Sequence, residues 1–240
     1  MGTPGPSCGS PLPSGEIVET DMTWKTKPTD RFVLRFVKLH LSAPLTSLIL
    51  RIWPRARPGV LTVISAAFGV AGGLAFGLGC AWGGGLLAAV SQVLDGADGQ
   101  VARLTERESP QGAFLDSVLD RYADFALLFG MLLHALRFSS GCHVFGFTLE
   151  PGLLVLIAAL ATAGSSQVSY TTARAASLNV AYRRPEIVGK GTRTAIVVLS
   201  GLLAPLWVHF PLLALVYLAI HPNVAVLTSL VRTPALGNPA

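Results

Sequence analysis

The sequence predicts an all-α, polytopic membrane protein, with six transmembrane helices behind an N-terminal amphipathic helix in the membrane interface. Three observations carry this. Hydrophobic residues make up 51% of the 240 residues and charged ones only 13%, where soluble domains carry about 25% charged residues. Mean hydropathy is +0.57. Six apolar stretches approach the roughly 20 residues that cross a bilayer core of about 30 Å.

The elements follow in order. Residues 1–28 are rich in Pro, Gly, Ser and Thr and are expected to be disordered; they lack the charged start and apolar run of a signal peptide. Residues 29–57 come next. Basic residues recur there at Arg31, Arg35 and Lys38, with Phe32, Phe36 and Leu39 offset by one. These helical spacings predict a basic amphipathic helix lying in the interface. Trp53 and the Arg51, Arg55 and Arg57 cluster read as its anchors. Residues 58–232 hold the spans: Pro58–Leu78, Ala81–Leu104, Gln111–Leu136, Pro151–Thr172, Thr192–Phe210 and Leu212–Leu230. Pro205 and Pro222 are expected to kink the last two, which meet in a tight hairpin at Phe210-Pro211. Gly69, Gly73 and Gly77 form a small-residue stripe on the first span, which predicts close helix packing. Residues 233–240 are a tail.

Orientation follows from Lys and Arg. Six spans put both termini on one side, with Arg103, Arg107, the Arg174–Arg193 loop and Arg232; the other side receives Arg137. Basic residues mark the cytoplasmic face, so both termini belong there, most simply at a cell membrane. The net charge of +5 sits beside apolar segments, which favours topology and lipid headgroups over nucleic acid. Cys8, Cys80 and Cys142 show no ligand or pairing pattern, and the five histidines show none either.

One stretch resists this apolar logic: SQVLDGADGQVARLTERESPQGAFLDSVLDRYAD, from Ser91 to Asp124. Asp95, Asp98, Gly99, Ala102 and Arg103 fall on one helical face, and Gly112, Asp116, Asp120 and Asp124 make a second stripe at intervals of four. A short loop joins the two helices, so the stripes can face each other near the cytoplasmic end. An ionised carboxylate in a membrane helix costs about 3 kcal/mol on insertion scales. The remedies are protonation or cations. Clustered carboxylates suit hard ions such as Mg²⁺ or Mn²⁺, and four aspartates can clamp two of them, the arrangement that serves phosphoryl transfer. Gly99 and Ala102 leave clearance for a phosphate or nucleotide, and Arg103 can pair with a phosphate oxygen. Asp124 fits a structural ion pair better, with Arg121 within reach of Asp124 or Asp120.

These residues resemble the CDP-alcohol phosphatidyltransferase family, whose signature is D-x2-D-G-x2-A-R-x8-G-x3-D-x3-D. Asp95, Asp98, Gly99, Ala102, Arg103, Gly112, Asp116 and Asp120 fill it with every spacing kept. The resemblance implies two divalent cations, a CDP-linked lipid or alcohol as donor, and an acceptor alcohol that attacks the phosphate with release of CMP, in phospholipid biosynthesis. It implies that Asp95, Asp98 and Asp116 hold metal, and that Asp120 ligates the second ion and takes the acceptor's proton. It assigns Gly99, Ala102, Arg103, Ser109 and Gly112 to the CDP moiety. Arg57–Thr62 resembles the family's PNxLT segment, with Gly59 in place of the usual Asn and Thr62 kept. Ser169–Val180 is similar to a segment of branches that use inositol phosphate or glycerol phosphate, and other stretches are similar to the branch that uses CDP-inositol, so donor and acceptor stay open. A phosphorylated acceptor points to Arg174 and Arg193. A homodimer is a further implication of the resemblance.

A divalent-cation transporter with intramembrane acids is the rival reading. A transport path needs polar groups through the membrane depth, whereas these acids cluster at one end and come with Gly99, Ala102 and Arg103 at set spacing.

Overall fold

The computed structural model describes residues 24–26, 32–141, 143–144, 147–180, 182 and 189–232. The expected C-terminal tail, Cys8, Cys142, Arg183, Arg184 and most of the expected disordered segment lie outside them. The described chain is nearly all helical. Its helices are α1 (Phe32–Val37), which continues through a π-helical turn at Lys38–Ser42 into α2 (Ala43–Ile52), then α3 (Pro58–Gly77), α4 (Ala81–Leu104), α5 (Pro110–Phe138), α6 (Pro151–Ser177), α7 (Lys190–Leu203) and α8 (Phe210–Arg232). A two-residue antiparallel pairing, β1 (His143–Val144) with β2 (Phe147–Thr148), links α5 to α6.

Local signals set the boundaries. Pro58, Pro110 and Pro151 each open a helix at its first turn, where no N–H partner is needed. The Ser109 hydroxyl caps α5 by accepting from Gly112 N at 3.1 Å. Gly79, at φ +92°, turns α3 back into α4. Pro205 ends α7 at Leu203 where a kink was expected. With no N–H on Pro205 to reach it, the Gly201 carbonyl accepts from Ala204 N at 3.1 Å instead. The hairpin before α8 is therefore a turn over residues 204–209 rather than Phe210-Pro211 alone. Pro222 stays inside α8, and its neighbour Asn223 donates Nδ2 to Leu160 O of α6 at 2.9 Å.

Four helical stretches are long and apolar enough to cross a membrane: Phe32–Ile52, Pro58–Gly77, Pro151–Ser177 and Phe210–Val231. They make the chain an integral membrane protein. Helices in lipid gain little from apolar burial against each other, so close approach and polar contacts hold the bundle. The glycine stripe provides that approach. A Cβ on Gly69 would lie 2.7 Å from Ala123 Cβ, and one on Gly73 would overlap the Ala126 carbonyl. Both face α5, while a Cβ on Gly72 would lie 3.1 Å from Gly84 O of α4. Thus α3 is the pillar against which α4 and α5 both pack. A second pair, α6 with α8, closes where Gly164 makes room for Pro222 and Asn223. Phe76, Met131, Leu154, Leu215 and Leu218 fill the core between the pairs.

The N-terminal stretch crosses the acid-bearing end of the bundle. Ser42 Oγ donates to Val93 O at 2.8 Å, Ile49 and Leu50 pack near Leu61 and Val101, and Leu34 meets Gly191. Gln100, fully buried, fastens it: its Oε1 accepts from Thr46 Oγ1 at 2.7 Å, and its Nε2 donates to Lys25 O at 2.9 Å and Lys38 O at 3.0 Å. Trp24–Thr26, counted with the disordered segment from sequence, is thereby tied down. Gln100→Ala leaves these partners buried without their bonds, a cost of about 1–3 kcal/mol. A lowered melting temperature of the solubilised protein is the check.

Candidate active site

The opposed acidic stripes converge. Asp95 and Asp98 on α4 and Asp116 on α5 each bring an oxygen within 4.8 Å of the others, a geometry that can hold a metal ion. The helices reach this by leaning on α3, whose Thr62 hydroxyl donates to Asp98 Oδ2 at 2.6 Å. Three carboxylates on so small a circle form an oxygen donor set matched to a hard divalent cation. Asp98 is buried, so three carboxylates this close call for a cation or a proton among them.

Asp120, one turn beyond Asp116, meets Asp95 through a residue from another helix. Lys190, at the start of α7, donates Nζ to Asp95 Oδ1 at 2.7 Å and to Asp120 Oδ1 at 2.5 Å. Part of the positive charge beside Asp95 and Asp120 therefore comes from the protein, through a residue the sequence reading did not place there. Lys190 carried no local signal beyond membership of a basic loop, because it arrives from the far side of the sequence. Asp124 takes Arg193 Nη2 at 3.4 Å and Arg121 Nη1 at 3.8 Å. Arg193 is thus held nearly buried, with 6% exposure, beside the cluster.

Two larger cavities flank the cluster. One, of about 130 Å³, is lined by Thr62, Asp98, Gly99, Ala102, Ser109, Gly112 and Asp116, together with Arg107 and Glu108. Thr62, Gly99, Ala102, Ser109 and Gly112 are among the residues expected at the CDP moiety, of which only Arg103 is missing from the lining. The bare backbone at Gly99 is not a packing need. A Cβ there would meet only Arg103 Nη1, at 3.6 Å, in contrast to the blocked positions at Gly69 and Gly73. Arg103 lies outside the lining: its Nε donates to Trp24 O at 2.8 Å and its Nη1 stands 4.0 Å from Glu108. Arg107, read from sequence only as a topology signal, lines the cavity in its place. The second cavity, of about 380 Å³, is lined by Arg121, Ser169, Thr172, Lys190 and Arg193 among others. Arg174 is exposed near the end of α6 and is not part of that lining. A cleft with an acid cluster between a small-residue pocket and a cationic pocket can bring two anionic reactants to one metal-bearing centre.

Comparison with known proteins agrees with this geometry. The sequence profile of the CDP-alcohol phosphatidyltransferase family matches residues 55–230, and the chain belongs to that family. It is 31% identical over 145 residues to the bifunctional IPC transferase and DIPP synthase of Thermococcus kodakarensis, a match covering 60% of this chain and 30% of that protein. It is 38% identical over 109 residues to the archaetidylinositol phosphate synthase of Aeropyrum pernix, covering 45% of this chain and 47% of that protein. The chain thus spans less than half the length of these curated relatives. Its fold is similar to the phosphatidylinositol phosphate synthase of Mycobacterium tuberculosis. With CDP-DAG bound, that crystal structure has a TM-score of 0.66 at 22% identity, covering 83% of this chain and 98% of that one. In complex with manganese and citrate it has a TM-score of 0.67 at 22% identity, covering 83% and 93%.

Proposed function

We propose that the chain transfers a phosphoalcohol group from a CDP-linked donor, CDP-diacylglycerol by preference, to a phosphorylated polyol such as inositol phosphate or glycerol phosphate, and releases CMP. The observation that carries this is the convergence of Asp95, Asp98 and Asp116 between a pocket walled by Gly99, Ala102 and Gly112 and a pocket walled by Arg121, Lys190 and Arg193. Asp95, Asp98 and Asp116 would hold one divalent ion, and Asp120 would help to hold a second, as Mg²⁺ or Mn²⁺. Such ions supply Lewis-acid polarisation of the phosphate and neutralise its charge. The remaining work falls to the chain. Thr62, Gly99, Ser109 and Gly112 admit and orient the CDP head, with Arg107 near its phosphates. The guanidinium groups of Arg121 and Arg193 receive the acceptor's phosphate. Asp120 takes the proton of the acceptor hydroxyl as its oxygen bonds to phosphorus, and the electron pair of the broken bridging bond leaves with CMP.

The same reading places six spans in the membrane. α4 and α5 keep their carboxylates at one end, with only Arg137 charged at the far end of α5, and they complete the set with the 14-residue α7. The stretch Phe32–Ile52 lies in the interface rather than across the bilayer. Its contacts, from Leu34 to Leu50, all fall on the acid-bearing end of the bundle. The positive-inside rule puts that end in the cytoplasm. A diacyl donor can then keep its tails in lipid while its CDP head enters from the aqueous side.

The test is CMP release by the purified, lipid-reconstituted protein with Mg²⁺ or Mn²⁺, CDP-diacylglycerol or CDP-inositol as donor, and a panel of acceptors. Release that depends on both metal and a phosphorylated polyol supports the reading. Release in no combination contradicts it.

A further inference from the structure

Gln92 plays no part in the chemistry described so far, yet it occupies an unusual place. It lies on α4 one turn before Asp95, on the same face, and is only 7% exposed. Neither its carboxamide oxygen nor its nitrogen has a hydrogen-bond partner. It lines a cavity of about 20 Å³ together with Ser91, Asp95, Asp120, Lys190 and Thr194. That volume takes a single oxygen-sized group, since about 10–15 Å³ of such space already holds one water. Two neighbouring donors are committed elsewhere: Lys190 to Asp95 and Asp120, and Thr194 Oγ1 to Lys190 O at 3.1 Å. A buried amide with no partner is a net cost to folding, and an apolar side chain of similar shape would relieve it.

We propose that Gln92 is a positioning residue that holds the attacking hydroxyl of the acceptor alcohol in this slot. The inference rests on the transferase reading above. Lys190 lines both the slot and the 380 Å³ cavity, so a polyol seated against Arg193 and Arg121 can extend one hydroxyl past Lys190 into the slot, beside Asp120. There the carboxamide N–H donates to the hydroxyl oxygen and leaves its proton directed at the Asp120 carboxylate. As the proton passes to Asp120, the oxygen bonds to phosphorus, and the bridging electron pair departs with CMP. The amide fixes the angle of attack and steadies the negative charge that grows on the oxygen.

The experiment uses the full chain in lipid nanodiscs, with CMP release measured against acceptor (inositol phosphate or glycerol phosphate) and separately against CDP-diacylglycerol. Gln92→Leu raises the acceptor KM about tenfold or more, leaves the donor KM within about twofold, and raises the melting temperature by roughly 2 °C or more. Gln92→Asn, which keeps an amide, falls between wild type and Gln92→Leu in acceptor KM. An acceptor KM in Gln92→Leu equal to wild type, or an equal rise in donor KM, overturns the proposal. So does a Gln92→Leu protein that is less stable or does not fold, because the amide would then be structural. A wild-type chain that turns over no acceptor instead defeats the transferase reading, and this inference with it.

Discussion

Asp120→Asn is expected to abolish metal-dependent CMP release, a loss of about a thousandfold or more, while the protein stays folded in its lipid environment. The substitution keeps size and hydrogen-bonding capacity and removes the charge that accepts the acceptor's proton. Folding survives because Lys190 keeps its 2.7 Å contact with Asp95 and because one of several mutually repelling carboxylates is gone. The two readouts must therefore separate: turnover collapses, while the melting temperature and the size-exclusion profile hold. Normal turnover in this variant would remove Asp120 as the base and leave the proton without a named destination.

The second large effect is on stability and lies far from the chemistry. Gly130 of α5 meets Gly73 of α3 backbone to backbone. A Cβ on Gly130 would lie 2.7 Å from the Gly73 carbonyl carbon and 2.9 Å from its Cα. No rotamer relieves a clash with main chain, so Gly130→Val must push α3 and α5 apart. The expected loss exceeds about 4 kcal/mol, in the range reserved for core overpacking and broken backbone packing. Because α3 also carries Thr62, which holds Asp98 at 2.6 Å, separation would scatter the carboxylates as well. Gly152→Ala is the control: a Cβ there meets nothing within 4 Å, and its stability should match wild type. Equal melting temperatures for Gly130→Val and Gly152→Ala would show that the α3–α5 crossing does not depend on close approach.

What the sequence revealed was what spacing encodes. Carboxylates at i, i+3 and i, i+4 must share a helical face, so the stripes of Asp95 and Asp98 and of Asp116 and Asp120 were legible before any fold was known. The Gly69, Gly73 and Gly77 stripe was legible for the same reason. Pro205 was visible but misread, because a proline near the end of an apolar run stops a helix as readily as it bends one. Partners that arrive from distant chain were hidden. Lys190 reaches Asp120 across 70 residues of sequence, and nothing local distinguishes it from other residues of its basic loop. Gln100 and Gln92 were hidden too, one a variable position inside the acidic motif and the other a single amide before it. Their roles depend on what surrounds them, three donors and acceptors for one and none for the other. Arg103 was legible as a motif residue, but its hydrogen bond to Trp24 O depends on where the N-terminal segment docks.

That the carboxylates of α4 and α5 meet in order to bind divalent cations is tested most directly by Mn²⁺ binding, followed by electron paramagnetic resonance on the purified protein without substrates. The wild type should take up Mn²⁺ from solution. Asp98→Asn and Asp116→Asn should lose most of that uptake, while Asp124→Asn, which sits among arginines outside the converging trio, should keep it. Uptake by Asp98→Asn and Asp116→Asn equal to wild type would mean that the cluster serves some other purpose.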